Sequence, residues 1–295
     1  MSAPDRLKPL RSKIDAIDDR LVALLNDRSA LVLEIGKIKR SNNAHFHTPA
    51  REQSIYDRLV ANNPGPFPNE ALKHVFREIM GGSLSLEKEI RVAYVGPEKD
   101  VSHQACLKQF SASALTTPCN SIQDVFEAVE SGQTDFGIVP VENTIYGMVS
   151  RTLDLVVDSP LLIYGEVLVE ENRARPPQGT LPPQGTLRMR NVTRFWIVSQ
   201  NRSERTTRDK TSILLSIKNQ PGAFYDLLKP FASLGISMIK IESRPSRRKR
   251  WEYLFYVDIM GHQEEEKVNS ALKVVAKDTL TLKVLGSYPM GDGVG

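Results

Sequence analysis

The segment from Leu7 to Arg40 constrains the fold of this chain most strongly, because it has no glycine before Gly36 and no proline after Pro9. Its apolar residues recur every three or four positions, the spacing of one face of an α-helix. They are Leu7, Leu10, Ile14, Ile17, Leu21, Leu24, Leu31, Ile35 and Ile38. Such a helix is a rod of ~50 Å, longer than a domain of about 100 residues is wide, so much of this apolar stripe needs a partner. We therefore expect a homodimer or higher homo-oligomer, with a plain coiled coil carrying solvated cations as the alternative.

Cations interrupt or flank the apolar stripe. Arg28 stands where the repeat requires an apolar side chain, which is costly unless an anionic group meets it there. Lys39 lies on nearly the same face ~16 Å further along the helix, so the two long side chains can converge on one small ligand. Arg11 lies ~25 Å from Arg28 and can reach the same ligand only from another copy of the helix.

Composition describes a globular protein of two or three domains. The 295 residues carry a net charge of +4, with 25% charged and 40% hydrophobic residues. No apolar run approaches the ~20 residues of a membrane span, and the N-terminus lacks a signal-peptide core, so we expect a cytoplasmic protein without a membrane partner. The cations are dispersed except at residues 247–250, which we interpret as a solvated hairpin loop. We expect an anionic small substrate and no nucleic acid.

We expect neither a metal nor a cofactor. Cys106 and Cys119 do not have the spacing of metal ligands, and two cysteines in a chain of this size do not indicate a disulfide framework. His45 and His47 form an isolated H-x-H pair, which is far more often part of a loop than a metal site.

Hydrophobic patterning divides the chain into three domains, which we place at residues 1–90, 91–200 and 208–290. The first is all-α. From Arg91, short apolar runs alternate with helical ones, the βαβ pattern of an α/β domain with a parallel sheet. From Lys210 the order strand, helix, strand, strand, helix, strand predicts an α+β domain of the ferredoxin-like type.

The first domain resembles a known family. LRSKIDAIDDRLVALLNDRSALVLEIGKIK, PAREQSIYDRL and VFREIMGGSLSLEKEI are closely similar to the helical chorismate mutase domain of bifunctional chorismate mutase/prephenate dehydratases, over about the first 90 residues. The resemblance implies that chorismate is the substrate and prephenate the product. It also implies a set of catalytic residues: Arg11, Arg28, Lys39, Arg51, Glu52, Ser83 and Glu87.

Within this set, the resemblance assigns Arg28 and Arg51 to the carboxylates of the substrate and Arg11 to the partner subunit. Lys39 corresponds to the cation at the ether oxygen whose bond breaks, and Glu52 to the partner of the ring hydroxyl. Thr48 stands where some relatives have an acid.

Those residue types suit the reaction. The rearrangement of chorismate is concerted, so the site needs no nucleophile or proton shuttle; it must hold a flexible dianion in a compact shape and stabilise charge on the ether oxygen. Glu87 must be protonated to donate a hydrogen bond to that oxygen, so we expect activity to fall as the pH rises.

The middle domain resembles the first lobe of prephenate dehydratase. The similar segments are VAYVGPE, SHQA and PVENTIYGMVSRTLDLV, and NVTRF at residues 191–195 matches the signature segment. The resemblance implies that Thr193 assists loss of the ring hydroxyl as an acid. The implied substrate contacts are Ser102, Glu142, Asn143, Arg194 and Phe195.

The middle domain also departs from that family. The Gly-Thr-Phe that usually follows GPE reads Lys99-Asp100-Val101. Where the family has a whole second lobe, residues 171–190 carry PPQGTL twice in tandem, a composition typical of a linker. The family's active site lies between the two lobes, so one wall is missing and we do not expect dehydratase activity, although Thr193, Glu142 and Asn143 are present.

The third domain resembles the ACT regulatory domain. PGAFYDLL and IESRPSRRKRWEYLFYVDI match the two motifs by which ACT domains of this family bind L-phenylalanine. A glycine at position 222 lets the backbone approach a carboxylate at a helix N-terminus. The implied phenylalanine contacts are Pro221, Gly222, Ala223, Leu227, Glu242, Ser243, Arg244 and Pro245.

Three hypotheses follow. The chain is a dimeric chorismate mutase with a truncated dehydratase lobe and a phenylalanine-sensing domain, or an enzyme with both activities, or a non-catalytic phenylalanine-binding protein. The presence of the whole mutase set argues against the third. We expect the repeat-bearing linker to weaken allosteric coupling, since coupling needs two linked states.

Overall fold

The computed structural model describes residues 3–41, 49–171, 191–217, 220–246 and 253–291. The predictions for His45, His47 and Thr48, for most of the repeat-bearing segment and for residues 247–250 lie outside these ranges. The chain forms two compact units. The first contains most of the N-terminal helices and a short segment at Phe110–Ala114; the second contains Thr48–Ile55 and most of the chain from Arg91 onward.

The predicted helices of the first domain are present as α1 (Ala3–Ser41), α2 (Pro49–Ala61) and α3 (Asn69–Glu87). The apolar stripe of α1 is exposed along its whole length, from 46% for Leu7 to 63% for Leu31. Burying a side chain of this size is worth ~1.5–3 kcal/mol, so an exposed stripe of this length is a large unused driving force for association.

The middle domain is a layered α/β domain. Its elements are β1 (Arg91–Val95), α4 (Val101–Phe110), β2 (Leu115–Cys119), α5 (Ile122–Glu130), β3 (Phe136–Asn143), β4 (Gly147–Met148), α6 (Ser150–Asp158), β5 (Leu162–Glu170) and β6 (Val192–Ser199). The strand order is β2-β1-β3-β6-β5, with β4 paired to β3.

The prediction of a parallel sheet is right for β1, β2 and β3 and wrong for the other edge of the sheet, where β6 runs antiparallel to both β3 and β5. The reason is that β5 and β6 are consecutive strands and neighbours in the sheet. The Glu171 N–H donates to the carbonyl oxygen of Asn191 at 2.8 Å, so the two residues that flank positions 172–190 lie next to each other. The entropic cost of closing a loop rises only slowly with its length, so β5 and β6 can pair whether this connection is long or short.

The predicted ferredoxin-like fold of the C-terminal domain is confirmed. Its elements are β7 (Asp209–Ile217), α7 (Ala223–Ser233), β8 (Met238–Pro245), β9 (Tyr253–Met260), α8 (Glu266–Asp278) and β10 (Thr279–Pro289). The strands form an antiparallel sheet in the order β10-β7-β9-β8. Leu227 and Phe231 of α7 pack with Val268 and Leu272 of α8 over Ile213.

The middle and C-terminal domains share one hydrophobic core. Leu214 and Tyr288 of the C-terminal sheet pack in the same cluster as Leu153 and Trp196 of the middle domain. Gly286 lets β10 lie directly on β5, because a Cβ there would approach the backbone N of Ile163 to 3.0 Å. The repeat-bearing segment therefore connects two strands of one domain and does not lie between the two domains.

No helix within the described ranges is long and apolar enough to cross a bilayer. The same residues contain no group of three or more His, Cys, Asp or Glu side chains that could hold a metal ion.

Candidate active sites

A polar cluster lies between α1 and α3. The Arg28 guanidinium donates through Nη1 to Ser83 Oγ, and Ser83 in turn donates to the carbonyl oxygen of Ile79 at 2.7 Å. Ser83 is only 6% exposed. The cation that interrupts the apolar stripe is thus held by a buried hydroxyl on the neighbouring helix.

Further along the same two helices, Lys39 Nζ lies 3.3 Å from Glu87 Oε2. The Glu87 side chain is buried, and Arg40 donates through Nη1 to its backbone carbonyl at 2.9 Å. Gly36 permits this approach, because a Cβ there would lie 3.0 Å from Glu87 Cγ. Sequence patterning missed both Gly36 and Arg40, although Lys39 and Arg40 lie three and four residues after Gly36 and so flank it on the helix surface.

The other predicted mutase residues occupy different elements. Arg51 and Glu52 lie in the first turn of α2, in the part that groups with the second unit, and Arg51 Nη1 donates to Ser54 Oγ at 3.5 Å. Arg11 is exposed near the start of α1.

Thr193 lies in a closed network of hydrogen bonds at the ends of β5 and β6. Its hydroxyl donates to Glu171 Oε1 at 2.7 Å and accepts from Asn143 Nδ2 at 2.8 Å. Asn191 Nδ2 donates to the other oxygen of Glu171 at 2.9 Å, and Asn191 Oδ1 accepts from Asn143 at 2.7 Å. A hydroxyl has one proton to donate, and that of Thr193 is given to Glu171.

The Asn143 amide is fully used as well, because its Oδ1 accepts the backbone N–H groups of Ile145 and Tyr146 at 2.8 and 3.0 Å. Asn143, Asn191 and Thr193 are all buried. Sequence analysis missed Asn191 and Glu171 as members of this cluster. Their position could have identified them, because the two residues that flank the repeat-bearing connection must lie close together if β5 and β6 pair.

Glu142 and Arg194 take part in ion pairs that reach the C-terminal domain. Arg194 Nε lies 3.5 Å from Glu142, whose other oxygen is 2.6 Å from Lys240 Nζ on β8. Arg194 Nη1 lies 3.7 Å from Glu166 and 3.9 Å from Asp258 on β9. These contacts join the strand that carries Thr193 to two strands of the neighbouring domain.

Lys210 lies at the centre of this charged group and is 1% exposed. Its Nζ is 2.6 Å from Glu166 and 3.1 Å from Asp258. Burial raises the pKa of Tyr288, as do the nearby carboxylates, and the Tyr288 hydroxyl shares a hydrogen bond of 2.7 Å with Ser212. Buried ion pairs of this kind are costly to break from one side.

The remaining predicted dehydratase contacts are buried. Ser102 is the second residue of α4 and is 3% exposed. Phe195 is fully buried in β6, in register with Pro140 on β3 and Val167 on β5.

The predicted phenylalanine contacts fall on two elements. Gly222 is the N-cap of α7 with φ of 84°, a conformation that favours glycine, and Ala223 begins the helix. Leu227 is buried in the core beneath the helices, whereas Pro221 is exposed.

The second group lies on β8, the edge strand of the sheet. Arg244 turns towards the middle domain, where Nη1 lies 3.5 Å from Asp154 and donates to the carbonyl of Ser150 at 2.7 Å. Side chains alternate along a strand, so Glu242 shares that face, and Ser243 and Pro245 point the other way.

Three family profiles match successive parts of the chain. The chorismate mutase type II profile matches residues 10–88, the prephenate dehydratase profile matches residues 92–172, and the ACT domain profile matches residues 211–277. The dehydratase match stops where the repeat-bearing connection begins.

Solved structures of prephenate dehydratases share the fold of the second unit. The enzyme from Streptococcus mutans has a TM-score of 0.57 and 31% identity, and covers 69% of this chain and 100% of that one. A prephenate dehydratase from Arthrobacter aurescens, solved in complex with L-Phe, has a TM-score of 0.57 and 24% identity, and covers 68% of this chain and 90% of that one.

A full-length relative spans all three regions. The bifunctional chorismate mutase/prephenate dehydratase of Aquifex aeolicus (strain VF5) is 38% identical over 355 residues, covering 97% of this chain and 98% of the relative. Since 97% of 295 residues is about 286, roughly 70 positions of that alignment have no residue in this chain. Identity at this level across almost the whole length shows that the chain belongs to the bifunctional chorismate mutase/prephenate dehydratase family.

Proposed function

We propose that this protein converts chorismate to prephenate as a homodimer, that it no longer dehydrates prephenate, and that its ACT domain binds L-phenylalanine. The three domains are proposed at residues 1–90, 91–200 and 208–290. The observation that carries the mutase assignment is the cluster between α1 and α3, where Arg28 meets Ser83 and Lys39 meets Glu87.

This arrangement fits a concerted rearrangement of a dianion. Arg28, together with Arg51, would bind the carboxylates and hold the side chain of chorismate over its ring, which lowers the entropic part of the barrier. Lys39 would stabilise the negative charge that grows on the ether oxygen as its bond breaks. Glu87 would donate a second hydrogen bond to that oxygen only in its protonated form, which would replace its ion pair with Lys39. Ser83 and Glu52 would orient the rest of the ring. No proton needs to be transferred.

The homodimer is supported by the exposed apolar stripe on α1. Its leucines and isoleucines are 46–63% exposed along a helix of 39 residues. A second copy would cover them and would also bring an Arg11 to each site, a residue too far from Arg28 to act within its own helix. Sedimentation should therefore give a dimer or larger species, and Leu21→Asp combined with Leu24→Asp should reduce both association and chorismate turnover.

Loss of dehydration is supported by the network around Thr193. To act as an acid, its hydroxyl must donate to the leaving group of prephenate, but its one proton is committed to Glu171 at 2.7 Å. Both N–H donors of the Asn143 side chain are likewise used, and Asn191 donates to Glu171. Retention of both activities is the second candidate, and the observation in its favour is that Thr193 and Asn143 stay side by side.

Binding of L-phenylalanine is supported by the ACT fold and by the left-handed Gly222 at the N-terminus of α7, where backbone N–H groups favour a carboxylate. The related dehydratase from Arthrobacter aurescens was solved in complex with L-Phe. Membership of a family of amino-acid biosynthesis supports a cytoplasmic location.

The test of the mutase assignment is consumption of chorismate by the purified protein, followed by absorbance. Lys39→Ala should lower kcat about 100- to 1,000-fold, the usual cost of removing one charge-stabilising donor. Lys37→Ala removes a cation from the same turn of α1 and should change the rate less than roughly two-fold. Binding of L-phenylalanine without any chorismate consumption would instead identify a non-catalytic binding protein.

A further inference from the structure

One turn of α1 holds the last residue of α3 at three points. Gly36, Lys39 and Arg40 are spaced i, i+3 and i+4, so they lie on one face of the helix. All three contact Glu87, which ends α3. Lys39 meets the carboxylate, Arg40 meets the carbonyl and Gly36 leaves room for the side-chain stem.

The contact with Arg40 has a clear physical basis. The last carbonyl groups of a helix have no partner within it, and a cationic donor at that end is favourable both as a hydrogen bond and against the helix dipole. Arg40 Nη1 reaches the Glu87 carbonyl at 2.9 Å, although much of the Arg40 side chain is exposed.

The contact with Gly36 is steric. A Cβ at this position would lie 3.0 Å from Glu87 Cγ and 3.3 Å from Glu87 Cβ, so any larger residue moves the glutamate by a few tenths of an ångström. Gly36 is itself buried, and the Glu87 side chain is 8% exposed, so there is little space for an alternative position.

We propose that Gly36 and Arg40 are positioning residues of the mutase, acting through Glu87; this inference rests on the proposed function. When Lys39 turns to the ether oxygen of chorismate, its ion pair with Glu87 weakens. The carbonyl contact from Arg40 and the close packing on Gly36 then hold the acid at the reacting oxygen. Neither residue touches the substrate.

The first test uses Arg40→Ala. Because small misplacements of a transition-state contact are costly, kcat should fall roughly ten-fold, with KM nearly unchanged because Glu87 acts at the transition state. Arg40→Lys, which can still donate to the carbonyl, should recover most of the rate. The charge-matched control Lys37→Ala should stay within roughly two-fold of the wild type.

A double-mutant cycle separates positioning from a general effect on folding. In a Glu87→Ala background there is no acid left to position, so Arg40→Ala should cost less than roughly two-fold. Gly36→Ala should lower kcat in the parent and be tolerated in that background, where Cγ is absent. Gly82→Ala is the matched glycine control, because among the described residues its Cβ would meet only Ser113 Oγ, at an ordinary 3.8 Å.

Amide hydrogen exchange gives a readout that does not require turnover. The Lys88 N–H donates to the Leu84 carbonyl at 3.0 Å, so it reports on the last turn of α3. Arg40→Ala should speed its exchange roughly five-fold, the equivalent of one hydrogen bond, and Lys37→Ala should not.

Equal behaviour of Arg40→Ala and Lys37→Ala in exchange, or additive effects of Arg40→Ala and Glu87→Ala on kcat, would overturn the inference. A wild-type chain that does not consume chorismate would overturn the proposed function instead, and exchange would still decide whether Arg40 holds the end of α3.

Discussion

The middle and C-terminal domains form one unit, which we call the shared unit. The polar groups of this unit are arranged differently from those of the N-terminal helices. On α1, the side chains of the proposed mutase site stand beside an exposed apolar stripe, and the proposed dimer would complete that site. In the shared unit, Thr193, Asn143 and Asn191 are buried and bonded to one another and to Glu171. The first arrangement is suited to receive a ligand, whereas the hydrogen-bonding groups of the second already bond to one another.

If dehydration is lost, as proposed, the difference explains how a family member could lose one site and keep the rest of its fold. Glu171 and Asn191, which flank residues 172–190, are hydrogen-bonded to each other, so the pairing of β5 with β6 does not require a lobe between them. The buried polar groups at the ends of β5 and β6 need hydrogen-bond partners, since a buried donor without one costs ~1–3 kcal/mol. Glu171 accepts from both Thr193 and Asn191.

The largest effect on the shared unit is expected for Lys210→Met. This change leaves Glu166 and Asp258 buried beside each other without their closest cation and should lower the free energy of unfolding by ~3–5 kcal/mol. Urea denaturation measures the loss. Lys267→Met is the control, because Lys267 is exposed and its ion pair with Glu265 spans 3.9 Å, so the cost should be under ~1 kcal/mol.

Lys210→Met also tests the independence of the two regions. Under conditions where the variant remains folded, its chorismate turnover should equal that of the wild type. A loss of chorismate turnover in the folded variant would show that the buried ion pairs support both regions, which would then not be independent.

Thr193→Val is expected to have an intermediate effect, entirely on stability. The change keeps the shape of the side chain but removes a donor from Glu171 and an acceptor from Asn143, at a cost of ~1–3 kcal/mol. Chorismate turnover should be unchanged. Thr117→Val, at an exposed position on β2, should alter stability by less than ~0.5 kcal/mol. If Thr193→Val were as stable as the wild type, the hydrogen bonds of Thr193 would not stabilise the fold.

The smallest effect is expected for Tyr256→Phe at the contact between the two domains. The Tyr256 hydroxyl donates to the carbonyl of Leu153 at 2.7 Å, and its removal should cost ~0.5–1.5 kcal/mol. Burial raises the pKa of Tyr256 above its usual 10.0. Stability from the protonated hydroxyl is therefore present below pH 10 and is lost as the pH rises further.

Unfolding measured between pH 8 and about 11 checks this expectation. The wild type should lose stability above pH 10 more steeply than Tyr256→Phe. Tyr253→Phe, at an exposed tyrosine of the same strand, should follow the wild type. If the free energy of unfolding fell equally with pH in the wild type and in Tyr256→Phe, this hydroxyl would not link the domains.

Local patterns in the sequence were sufficient for the elements of the fold. The three-and-four spacing of Leu7 to Ile38 predicted α1, and the order of strands and helices after Lys210 predicted the ferredoxin-like sheet. Both signals lie within one segment and depend on its own periodicity.

Contacts between distant segments were not predictable in the same way. Glu171 meets Thr193 only because β5 and β6 pair antiparallel, which is a property of strand register. Lys210 stands in a strand whose apolar neighbours indicate one buried face, and nothing in its sequence shows that a second domain covers the other. The contacts of Gly36 and Arg40 with Glu87 could not be predicted because they depend on where α3 ends.

The most direct test of this account is to incubate the wild-type protein with chorismate and separate the products at neutral pH, because acid alone converts prephenate to phenylpyruvate. Prephenate should accumulate, and phenylpyruvate should stay at the level of an enzyme-free control. Phenylpyruvate above that control would show that the closed network around Thr193 still opens for catalysis, and would contradict the proposed loss of the dehydratase.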